Sequence, residues 1–217
     1  MFLGHFGLAF GGKKAAPALS LGLLFLAVGW ADLLFFPLAL AGVEHFRIAP
    51  GATAVTPMDF YDYPISHGLV GLTFAGLVLG SAYFLFRKQR AAAIVFGLAV
   101  VSHWFLDAFV HRPDMPILAG PPYFGLGVWN SVPLTVAVEA LALGVGLVVY
   151  LRTTRAVDRA GNWALWSLVA FLVVLWAASL AGPPPPSERA VEWSGVGMWL
   201  LVPWGYWIDR HRAIVAA

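Results

Sequence analysis

Six stretches of this chain are each long and apolar enough to cross a bilayer, and no other feature narrows its fold as sharply. A hydrocarbon core about 30 Å thick takes roughly 20 mostly apolar residues in helical form. The stretches cover residues 16–41, 64–86, 91–110, 131–151, 162–182 and 191–208. Backbone N–H and C=O groups inside a bilayer have no water to bond, so runs of this length predict helices. The expectation is an all-α integral membrane protein, a six-span transmembrane helical bundle forming a single membrane domain over residues 1–217. A short N-terminal half-helix or interfacial segment, MFLGHFGLAFGG, precedes the first span and is closed by Lys13 and Lys14. It is too short to span, and with no basic residue ahead of it makes a poor signal peptide.

Composition agrees, since 60% of the residues are hydrophobic and 11% charged, against roughly 45–50% and about 25% in soluble chains. The 13 Lys and Arg residues are scattered between apolar runs, which excludes the basic face that nucleic-acid binding requires. The chain has no cysteine, so thiolate metal sites, disulfides and cysteine nucleophiles are excluded. Any metal must be held by His, Asp or Glu.

Cytoplasmic loops carry an excess of Lys and Arg. With the N-terminus inside, Lys13, Lys14, Arg87, Lys88, Arg90, Arg152, Arg155, Arg159, Arg210 and Arg212 all fall on the cytoplasmic side, and only Arg47, Arg112 and Arg189 fall outside. Both termini are therefore expected to be cytoplasmic, in what is taken as a bacterial cytoplasmic membrane. The outer connections are long and hold most of the prolines, including Pro50, Pro57, Pro113, Pro116 and the run Pro183 to Pro186. Membrane lipids are the expected surroundings, and a homo-oligomer is compatible with six spans.

Ionisable side chains inside a bilayer are costly, and each marks a candidate functional site. Those within or at the lips of the spans are Asp32, His67, His103, Asp107, His111 and Glu139, with Asp59 and Asp62 just before the second span. In SHWFLDAFVHRPD, His103, Asp107 and His111 recur at four-residue steps. Each step turns a helix about 40° beyond a full turn, so the three share one face. His103 and Asp107 are spaced to grip one ion, whereas His111, about 12 Å from His103 along the axis, would serve a second ion or the substrate. Counting at about 1.5 Å per residue from the cytoplasmic charges puts Asp32, His67, His103, Asp107 and Glu139 roughly 18–27 Å up, in the outer half of the bilayer. His5 falls only about 12 Å up if its segment is helical, outside that level; an extended segment would lift it in.

Gly4-His5, Asp32 in WADLL, Ser66-His67-Gly68, and Ser102-His103 with Asp107 together resemble the motifs of the YdjM-like, LexA-regulated inner-membrane proteins described as metal-dependent hydrolases. The resemblance covers about the first 115 residues. This chain has a lone Asp32 where that family carries a Pro-Asp-x-Asp-His cluster, and three residues between His103 and Asp107. The resemblance implies a metal role for His5 beside the other four residues.

Three functions fit these residues. In a metal-dependent hydrolase, Asp32, His67, His103 and Asp107 hold one or two divalent ions that activate water toward a lipid or lipid-linked ester or phosphoester, while Glu139 or His111 moves protons. Mixed His and carboxylate ligands suit Zn²⁺, Mn²⁺ or Fe²⁺. In a small transporter or proton-coupled carrier the same groups form an ion site or relay. In a non-catalytic scaffold they lock the bundle.

Overall fold

The computed structural model describes residues 1–215 and is mostly helical. In chain order the elements are α1 (Leu3–Ala15), α2 (Leu21–Val28), α3 (Trp30–Leu40), β1 (His45–Ile48), β2 (Met58–Asp62), α4 (Pro64–His67), α5 (Leu69–Arg87) and α6 (Arg90–Val110). There follow β3 (Met115–Pro116), β4 (Tyr123–Phe124), α7 (Val132–Thr153), β5 (Thr154–Ala156), α8 (Arg159–Ala181), α9 (Glu188–Val196), α10 (Leu201–Arg210) and β6 (Arg212–Ile214).

Four helices, α5, α6, α7 and α8, are long and apolar enough to cross a membrane. They turn large apolar residues such as Phe74, Leu98, Leu141, Trp163 and Val174 outward, as a helix surrounded by lipid does. Among the described residues four of the six expected spans are thus single long helices, or five if the bent pair α2–α3 counts as one. The first apolar stretch breaks at Gly29 into α2 and α3, which meet at 58° and make at most one bent span. The last divides into α9, a single-turn 3₁₀ segment at Gly197–Leu200, and α10. Glu192, Ser194, Gly195, Gly197 and Pro203 lie within it, and at about 1.5 Å per residue neither piece reaches across 30 Å.

Side-chain caps mark several helix starts, satisfying N–H groups that have no partner within the helix. Ser20 accepts from the Leu23 N–H at the start of α2, Asp158 from Gly161 in α8, and Ser187 from Ala190 in α9. The turn between α5 and α6 is short enough to put Lys88 in the left-handed region, at φ 55°. Gly76 and Gly97 then let the two helices touch backbone to backbone: a Cβ on Gly76 would come 2.6 Å from the Gly97 carbonyl oxygen.

The N-terminal segment is a helix, α1, packed inside the protein. Leu3, Gly4, His5, Phe6, Gly7, Ala9 and Phe10 are buried, and α1 lies along α7, where Gly7 meets the backbone of Ala142 and Gly146. Three antiparallel pairs, β1–β2, β3–β4 and β5–β6, close the ends. At one end the β1–β2 connection, the loop after α6 and the start of α9 meet: Arg112 binds Asp59, and Glu188 accepts from the Ile48 N–H. At the other, β5 pairs with β6 and Lys13 binds Asp209. The proline-rich connections thus gather at the first of these ends.

Candidate metal centre

The break at Gly29 sets the centre up. Ending α2 at Val28 leaves a carbonyl without its usual helical partner, and His103 on α6 donates Nδ1–H to that Val28 oxygen at 2.7 Å. The break also starts α3 afresh, so that Asp32 sits in its first turn. A carbonyl has no proton to give, so His103 Nδ1 carries the ring's hydrogen and Nε2 is its lone-pair end. That Nε2 is fully buried, lies 3.0 Å from Asp107 Oδ2, and makes no hydrogen bond.

Two other rings meet the same carboxylate. His111, capping the end of α6, bonds Asp114 Oδ1 through Nδ1 at 3.0 Å and turns Nε2 to within 3.7 Å of Asp107 Oδ2. His67, closing α4, bonds the Ser66 hydroxyl through Nδ1 at 2.7 Å. Its Nε2 stands 3.5 Å from Asp32 Oδ1 and 3.9 Å from Asp107 Oδ2. In each of the three an outer partner fixes Nδ1 and leaves Nε2 facing carboxylates, the arrangement by which second-shell contacts orient metal-ligating histidines.

On the opposite side of Asp107, Oδ1 meets His5 Nε2 at 3.0 Å and the amino group of Met1. The His5 and His103 rings stack with centroids 4.0 Å apart. His5 therefore lies in the centre although its segment is helical, against the depth count. That count took Lys13 to stand at the cytoplasmic face. The structure instead buries Lys13, which bonds Asp209 Oδ2 at 2.8 Å and the Leu19 carbonyl at 2.7 Å.

Among the described residues, two sets have ligand atoms mutually within 4.8 Å: His5, His103 and Asp107, and Asp32, His67 and His103. A buried cluster of His and Asp able to chelate a divalent metal is thus present. His103 Nε2 supplies the test of fit: a desolvated ring nitrogen without a hydrogen bond, 3.0 Å from a carboxylate oxygen, calls for positive charge between the two, which a metal ion or a proton supplies. Phe35, Phe60, Tyr63 and Trp129 pack against the rings of His67 and His111, and this apolar shell holds water away. Asp32 is the one member with appreciable exposure, its side chain 25% accessible against 5% or less for the other five.

Glu139 is placed differently. Its two oxygens accept the Phe2 and Gly4 N–H groups, both at 2.8 Å, and so cap the start of α1. The carboxylate expected to move protons also holds the helix that bears His5. Asp59 and Asp62 stay in the outer cap, Asp59 between Arg47 and Arg112 and Asp62 beside His45.

Sequence reasoning missed three groups that matter here. Asp114 orients His111 and also takes Arg112 Nε and the Tyr63 hydroxyl. The Val28 carbonyl orients His103. Glu44, buried, accepts from the Ile65 and Ser66 N–H groups and so holds the turn that presents His67. A signal existed for Asp114 alone, three residues beyond His111 in the same run.

No family model matches this chain, and no match was found among the curated proteins or the solved structures.

Proposed function

We propose that the protein is a membrane-embedded metal-dependent hydrolase acting on a lipid or lipid-linked ester or phosphoester near the outer leaflet. The observation that carries this reading is His103 Nε2, a buried ring nitrogen without a hydrogen bond, pointed between the carboxylates of Asp32 and Asp107. A divalent ion held there supplies Lewis-acid activation of water, and the mixed nitrogen and oxygen ligands favour Zn²⁺, Mn²⁺ or Fe²⁺. His67, His103, Asp32 and Asp107 bind it, with His5 beside Asp107. His111 is the group to handle protons, since it reaches the surface through Asp114 and Arg112. The partial exposure of Asp32 is the way in.

The same reading takes the four-motif likeness to the YdjM-like hydrolases as kinship, and places both termini in the cytoplasm of a bacterial cell. The gathering of Lys13, Arg155, Arg210 and Arg212 at one end of the molecule supports that orientation.

Elemental analysis of the detergent-purified protein tests it. About one or more equivalents of a transition metal per chain, lost in folded His103→Ala and Asp107→Ala variants, is the expected result. Absence of metal after reconstitution with Zn²⁺ and Mn²⁺ would sink the hydrolase and leave the carrier or the scaffold.

A further inference from the structure

The shape of the centre says more than that it can hold an ion. We infer that it is built for two divalent cations, bridged by the carboxylate of Asp107. This rests on the metal-centre reading above and extends it.

The first ground is that the ligands do not merge into one set. Two atoms bound to the same ion at about 2.0–2.2 Å can be no more than about 4.4 Å apart. Asp32 and His67 form a close set with His103, and His5 and Asp107 form another with His103. Each set has its atoms within 4.8 Å of one another, and the five do not fall into one such set.

The second ground is Asp107 itself, because its two oxygens serve different neighbours. Oδ1 faces His5 Nε2 at 3.0 Å, while Oδ2 faces His103 at 3.0 Å, His111 at 3.7 Å and His67 at 3.9 Å. A carboxylate presenting one oxygen to each of two nitrogen groups has the disposition of a bridge between two ions. On this assignment one ion lies between His5 and Asp107 Oδ1, at the place the Met1 amino group holds in the structure. The other lies among Asp32, His67 and Asp107 Oδ2, and His103 Nε2 stands at the edge the two sets share.

The third ground is independent of distance. Two buried ring nitrogens here lack any hydrogen-bond partner, His103 Nε2 and His5 Nδ1. Of the two, only His103 Nε2 faces the proposed positions; His5 turns Nε2 toward Asp107, so its Nδ1 lies on the ring edge away from them.

Manganese binding to the full chain in detergent, after chelator stripping, decides the matter, read by equilibrium stoichiometry and by electron paramagnetic resonance. The expected result is about two Mn²⁺ per chain with an exchange-coupled spectrum. His5→Ala and, as a shape-preserving second variant, His5→Gln should bind about half as much and show the six-line spectrum of an isolated ion; Asp32→Asn should do the same from the other side. Saturation at one equivalent with an isolated-ion spectrum in the unaltered protein would overturn the two-ion centre and leave the hydrolase reading standing. Two ions without coupling would overturn the Asp107 bridge, and no binding at all would overturn both readings. Each variant is compared at matched monodispersity and melting temperature, so a misfolded chain cannot be taken for a lost site.

Discussion

At the scale of single residues, the centre is governed by which atom of each side chain is already spoken for. His103 shows this most simply: the Val28 carbonyl takes Nδ1, and only Nε2 is left for chemistry. Glu139 is the opposite case, since both its oxygens are used by the Phe2 and Gly4 N–H groups. Hydrogen bonds to a charged acceptor contribute about 1.5–3 kcal/mol each, and losing the partner strands a buried donor. Glu139→Ala should therefore lower stability by about 3–6 kcal/mol, measured by thermal melting in detergent. Glu139→Gln, with one acceptor in place of two, should fall between. If Glu139 carried protons instead, the glutamine variant would lose turnover while melting like the unaltered protein.

At the scale of elements, α1 decides whether the centre is complete, and its seat on α7 depends on side chains that are missing. A Cβ on Gly146 would overlap the carbonyl of Gly7, and one on Gly7 would overlap that of Ala142. Because the obstacle is backbone, it cannot swing aside, and overpacking of this kind costs about 1–3 kcal/mol or more. Gly146→Leu should push α1 off α7, lower the melting temperature, and reduce metal content through loss of His5. Gly144→Leu, where an added Cβ meets nothing within 4 Å, is the control and should leave both unchanged. Equal effects of the two substitutions would show that the close contact is unimportant.

The whole molecule is tied at the end away from the centre by a pair that joins α1 to α10. Lys13 and Asp209 are separated by 196 residues and meet at 2.8 Å with little exposure. Removing one partner of a buried pair strands the other charge, at about 3–5 kcal/mol, whereas replacing both by apolar groups is often close to neutral. Asp209→Ala should accordingly destabilise far more than Lys13→Met combined with Asp209→Leu, a comparison chemical denaturation can make.

A weaker tie at the same end is sensitive to acid. The His211 hydrogen bond, then the Gly161 N–H, holds the exposed Asp158 carboxyl below its usual value of 3.8. A carboxylate with a lower pKa in the folded state stabilises above the unfolded value, and that stabilisation is lost as pH falls through the folded one. The melting-temperature gap between the unaltered protein and Asp158→Asn should thus be present at neutral pH and close below about pH 3.8. A gap that persisted into stronger acid would mean the tie owes nothing to charge.

What the sequence by itself determined is what depends on sums over neighbours in the chain. Long apolar runs predict helices for a membrane because partitioning and backbone hydrogen bonding are settled within each segment, and α5 to α8 follow. The shared face of His103 and Asp107 was legible for the same reason, as a four-residue step closes one turn of a helix. Only the tertiary structure decided how the first run bends at Gly29, where α1 sits, and which partner each carboxylate takes. Hydropathy does not distinguish a straight span from a broken one of equal composition, and a depth count is only as good as its anchor, which at Lys13 is buried by a residue near the far end of the chain. His5 and Asp107 lie 102 residues apart and Phe2 and Glu139 lie 137 apart. Contacts at that separation are chosen by packing, and no local pattern encodes them.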